Sequence, residues 1–121
     1  MAEFSDPIDL QAWEALRAIG GSDADDMMNE LITFYEEDSA ALIASIRRCS
    51  HSLDLNELRA AAHALRSPSA TLGALGLAEL CRRLELASSS DDLSSVNSLI
   101  DELLVVHERV LSSLRAMRTD Q

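Results

Sequence analysis

Along the chain, apolar residues recur three and four positions apart with few interruptions, the period of helices that bury one face. Pro7 sits just inside a first helix start, with Asp6 as its cap, and the segment runs to about Ile19. The stretch "GGSD" at 20 to 23 breaks it, and Ser22 or Asp23 caps the next helix. A long second helix is predicted with Met27, Leu31, Phe34, Ala41, Leu42, Ile46 and Cys49 on its apolar stripe. "CSHSLD" ends it, leaving His51 in a connecting turn, and Asp54 opens a third helix. There Leu55, Leu58, Ala62, Leu65, Ser69 and Leu72 face the core, and Gly73 stops the chain. A fourth helix carries Leu77, Leu80, Cys81 and Leu84 and ends in "SSSDD". The fifth, opened around Ser90 to Asp92, carries Val96, Leu99, Leu103, Val106, Val110, Leu114 and Met117, with His107 at the boundary beside Val106. Short connections between long helices force antiparallel neighbours. The expected fold is all-α: an antiparallel up-down four-helix bundle with an additional short N-terminal helix, one domain over residues 1–121.

Composition agrees with this. Hydrophobic residues make up 47% of the chain but aromatics only 3%, so Leu, Ile, Val, Ala and Met must build the core. Four glycines and two prolines are too few for a many-turned β sandwich. No apolar run reaches the roughly 20 residues that span a bilayer, and no signal-peptide pattern is visible. Cys49 and Cys81 lie inside apolar helical patterns without C-x-x-C spacing. Buried reduced thiols suit a cytoplasmic protein. A formal net charge of -11 argues against nucleic acid and anionic membrane as partners. Met1–Phe4 reads as a cloning-site remnant, because a common cloning site encodes Glu-Phe.

One short stretch stands out against this bland acidic background. In "AAAHALRSPSATLGA", residues 60 to 74, His63 lies among alanines between Arg59 and Arg66. Arg59, His63, Arg66 and Ala70 fall at i, i+4, i+7 and i+11, a flank of the third helix one step round from its core face. Ala60, Ala64, Ser67 and Ala70 around the ring are small, so another protein can reach it. Two guanidinium groups disfavour the imidazolium and favour the neutral, nucleophilic ring. They also match the oxygens of an incoming phosphoryl dianion.

The wider pattern "AAHALRSPSATLGALGLAELCRRLE" resembles the signature of the histidine phosphotransfer (HPt) domain family. The resemblance rests on His63, Leu65, Arg66, Ser67, Ser69, Leu72, Gly73, Ala74, Leu77, Cys81, Leu84 and Glu85. Upstream, "LITFYEEDSAALIASI" is similar to the helix that precedes the signature. The resemblance implies that His63 carries a phosphoryl group on its outer ring nitrogen, Nε2, in a two-component phosphorelay. It places Arg66, where the family usually has lysine, beside the phosphate; Arg59, on the same helix flank, is expected to add to the stabilising charge. It implies receiver domains of response regulators as partners, docking over Ala60, Ala64, Ser67 and Ala70, with Gly73 as the structural turn. No cofactor is expected in the chain itself, since the receiver supplies Mg²⁺. A monomer is expected, either free-standing or as the C-terminal domain of a hybrid sensor kinase at the inner membrane.

Two features depart from the pattern. Arginine for lysine keeps the charge but changes its reach. Pro68 removes the hydrogen bond to the Ala64 carbonyl and pushes Ser67 away from helical geometry, so a distortion is expected one turn after His63. Other chemistries find less support. A metal bundle needs Glu-x-x-His pairs, and His51, His63 and His107 lie on separate segments. Autonomous kinase activity needs a nucleotide site, and no glycine-rich phosphate loop is present. The alternative is a helical interaction module that regulates a non-receiver partner by binding.

Overall fold

The computed structural model describes residues 7–90 and 92–120, and the helix cap expected at Asp6 lies outside them, as does Met1–Phe4. Five α-helices run in order: α1 Leu10–Gly20, α2 Ala24–Ser52, α3 Leu55–Thr71, α4 Leu75–Ser89 and α5 Leu93–Ala116, with a 3-10 turn at Gly21–Asp23. Helix α2 packs against α3 and α5, α3 against α4, and α4 against α5, which closes an antiparallel four-helix ring. Helix α1 lies against α2 and α3 and seats Trp13 in the core.

The bundle interior is aliphatic, as the composition requires. Leu58, Ala62 and Leu65 from α3, Leu77, Cys81 and Leu84 from α4, and Val96, Leu103, Val110 and Leu114 from α5 are fully buried. Burying a side chain of this kind contributes on the order of 1.5–3 kcal/mol. The stripe of α2 is displaced from the expected one. Its buried positions are Ala24, Met28, Asn29, Ile32, Tyr35, Ser39, Ile43, Ile46 and Cys49. Met27, Leu31 and Leu42 only flank the core, Ala41 is exposed, and Phe34 is 64% exposed. The expected and observed stripes coincide at Ile46 and Cys49 but lie one residue apart before them, where the polarity of Tyr35 and Ser39 disguises the one that is used.

Those two polar residues are satisfied inside. Tyr35 Oη lies 2.7 Å from Ser69 Oγ, and Ser69 Oγ donates to the Leu65 carbonyl at 2.8 Å, so the tyrosine is the donor to Ser69. Burial pushes the Tyr35 phenol up to about 12. Ser39 Oγ meets His107 Nε2 at 2.9 Å. His107 is therefore not a boundary residue: it is 3% exposed, and burial lowers its pKa.

Helix ends also differ from expectation where side chains or turns decide them. Helix α1 starts at Leu10, not at Pro7, because Asp9 Oδ1 accepts from the Gln11 and Ala12 amides at 2.9 and 3.4 Å. Asp23 precedes α2 without a side-chain capping bond. His51 belongs to the last turn of α2, which ends only at Leu53 in left-handed conformation (φ 57°). Pro68 does not end α3: Ser67 stays helical and the helix continues to Thr71. The Ser69 bond to Leu65 and the Thr71 Oγ1 bond to the Ser67 carbonyl (3.0 Å) hold that last turn.

Candidate functional site

The site is made by a helical hairpin. Gly73, at φ 94°, reverses the chain between α3 and α4, in a conformation that glycine adopts without strain. A Cβ there would lie 2.9 Å from the Asp9 carbonyl oxygen, and the Asp9 amide donates to the Gly73 carbonyl at 2.8 Å. The turn is thus locked against the start of α1. Antiparallel packing about this turn brings residues a similar distance before and after it side by side. His63 on α3 and Glu85 on α4 are one such couple; Arg59 and Ser89, one turn further along, are another.

His63 projects from the surface, with its side chain 74% exposed. Its Nδ1 lies 2.9 Å from Glu85 Oε1, and the other oxygen of the same carboxylate receives Arg66 Nη1 at 3.1 Å. Glu85 is largely buried, at 17% side-chain exposure. Burial alone would raise its pKa, but the hydrogen bonds from His63 and Arg66 outweigh it and hold the carboxyl below its usual range. An ionised carboxylate only accepts, so Nδ1 carries the proton towards it. In the neutral ring that leaves Nε2 as the nitrogen with the free lone pair, on a side chain that is mostly exposed. Arg59 Nη1 reaches Ser89 Oγ at 3.5 Å, and no hydrogen bond joins it to His63.

The expected surroundings are largely present. Ala60, Ala64 and Ser67 are exposed and Ala70 is half-buried on the His63 flank. The Tyr35–Ser69 contact and the Arg48–Glu57 ion pair fix α2 antiparallel to α3 and bracket His63. Ala41 and Ala44 on α2 are exposed. On the α4 side stands the carboxylate fork. His51 and His107 are remote from it, one at the end of α2 and the other inside the bundle.

Sequence reading supplies His63, Arg66 and the small neighbours, but gives no role to Glu85. The signal for it is the hairpin itself, since Glu85 lies about as far after Gly73 as His63 lies before it. The simple picture of an imidazole between two bare guanidiniums gives way to a carboxylate that holds the ring and one arginine together. Chemically, the arrangement presents an oriented, accessible nitrogen nucleophile with a buffered cation beside it.

Compared with known families, residues 23–117 match the family model described as Hpt domain. That span contains the four bundle helices and the whole site. No curated protein and no solved structure gives a match.

Proposed function

The chain belongs to the Hpt domain family and so has a histidine phosphotransfer role in two-component signalling; from that premise we propose that His63 is the residue that carries the phosphoryl group. The observation that supports this most is the tie of Nδ1 to Glu85, which leaves Nε2 unprotonated in the neutral ring of a mostly exposed side chain.

In this reading the donor is the aspartyl phosphate of a receiver domain. The Nε2 lone pair attacks phosphorus, the Nε2–P bond forms, and the P–O bond breaks with its electron pair leaving on the donor aspartate. The ring becomes positively charged and keeps its Nδ1 proton, and the Glu85 carboxylate offsets that charge, much as a buried carboxylate supports a catalytic histidine. Transfer to a second receiver reverses the same steps. Arg66 faces the transferred group, and Arg59 adds positive charge one turn away. The receiver supplies Mg²⁺ and binds over Ala60, Ala64, Ser67 and Ala70, where no large side chain obstructs approach. The domain acts as a monomer in the cytoplasm, alone or within a hybrid kinase. Its contribution to rate is a positioned nucleophile.

The test is acceptance of phosphate from a phosphorylated receiver. The parent chain should acquire acid-labile phosphate, and His63→Gln should acquire none while keeping its helical circular dichroism. Acid-labile phosphate on the variant would overturn the assignment.

A further inference from the structure

A second surface lies on the other side of α4 from His63. Three exposed apolar side chains, Leu10 (56% exposed), Leu75 (45%) and Val105 (53%), border one continuous tract. It runs from the start of α1 past Pro7 and Gly76 into a groove of about 630 Å³ between α4 and α5, floored by Leu80 and Val106. An apolar floor between two helices is a surface that the apolar stripe of a further helix can bury. Among the described residues, most arginines are clasped by a carboxylate; Arg47, Arg59, Arg83 and Arg109 have none at ion-pair distance, and of these Arg83 on α4 and Arg109 on α5 line this groove.

We propose that the α4–α5 groove is a second docking surface, for an amphipathic helix of a partner protein whose apolar stripe is flanked by carboxylates. The floor takes aliphatic side chains spaced three and four apart, the helix-in-groove mode. The two guanidiniums, one from each wall, then pair with acidic residues on the sides of that helix. Of the groove's own carboxylates, Glu79 is already held by Arg82 at 2.6 Å. Glu102 remains, and it selects against an acid at the matching point of the partner. A lysine-flanked helix would instead set its charges against Arg83 and Arg109. This surface is separate from the phosphotransfer site, because Glu85 and Ser89 present α4 to α3 whereas Leu80 and Arg83 present it to the groove.

Methyl NMR on the whole chain tests the proposal, with two synthetic probes: a leucine-striped helical peptide flanked by glutamates, and its lysine-flanked counterpart. The acidic peptide should shift the Leu80, Val105 and Val106 methyls. The double variant Arg83→Glu, Arg109→Glu, both at exposed positions, should weaken that binding at least tenfold. A tenfold loss is about 1.4 kcal/mol. The same variant should accept phosphate at His63 at the parental rate, so failure of this proposal and failure of the phosphocarrier reading give different results. Equal or tighter binding of the lysine peptide, or groove methyls that do not move, would overturn it. So would concentration-dependent dimerisation abolished by Val105→Glu, which would make a second copy the occupant.

Discussion

Glu85 connects the local chemistry to the signalling role. One carboxylate orients the imidazole through Oε1 and restrains Arg66 through Oε2. If its work is positioning, Glu85→Ala should slow phosphate acceptance by roughly ten- to a hundredfold, the scale of a nucleophile displaced by about an ångström. Glu85→Gln, which retains an oxygen acceptor for Nδ1, should recover part of the loss. The loss of stability should be modest in either, about 1 kcal/mol, because His63 and Arg66 are exposed and can turn to water although Glu85 is largely buried. Rapid-quench phosphorylation beside thermal melts separates the two effects, and equal rates in all three proteins would deny Glu85 its role. The pH dependence comes from the same geometry. The Glu85 carboxyl is held below its ordinary value of 4.5, so its anchoring is complete above that pH and is lost as pH falls through the lower folded-state value.

At the scale of elements, helices and their core faces are legible in the sequence wherever the stripe is purely aliphatic. Helices α3, α4 and α5 bury the positions their periodicity indicates, with Leu55, Val106 and Met117 at the edge of the core. Helix α2 misleads because its true seam runs through Tyr35 and Ser39, which become inward residues only once Ser69 and His107 are there to receive them. Periodicity within one helix carries no information about partners on another. The start of α1 shows the same limit: Asp9 wins as cap because the Gly73 carbonyl fixes its amide. Pro68 reads as a helix breaker, yet α3 runs through it to Thr71. The hairpin turn is the element on which the site depends. Gly73→Ala meets both a left-handed backbone and a carbonyl oxygen at 2.9 Å, so it should destabilise by about 1–3 kcal/mol. Chemical denaturation checks this. A loss under about 0.5 kcal/mol would mean that the contact with α1 relaxes without cost.

Over the whole molecule, the interior ties a buried histidine to an acidic exterior. His107 is enclosed by the bundle, with Ser39 on its Nε2; burial lowers its pKa, Arg47 and Arg115 push the same way, and Glu108 opposes them. The unfolded chain therefore takes up a proton near pH 6.5 while the folded chain does not. Stability should be level above that pH and fall as pH drops below it, by up to about 1.4 kcal/mol per unit, until the lower folded-state pKa is reached. Denaturation midpoints between pH 7.5 and 5.5 should show this slope, and His107→Gln should flatten it. An equal slope in the variant would place the proton uptake elsewhere.

The phosphocarrier reading turns on the Nε2 nitrogen of one histidine. Phosphorylating the ¹⁵N-labelled chain from a phosphorylated receiver, then reading ¹⁵N–³¹P coupling and imidazole shifts by NMR, examines that nitrogen itself. A single phosphoryl group is expected on Nε2 of His63, with Nδ1 still bearing the proton it shares with Glu85. Phosphate on Nδ1 of His63, or on His51 or His107, would contradict it.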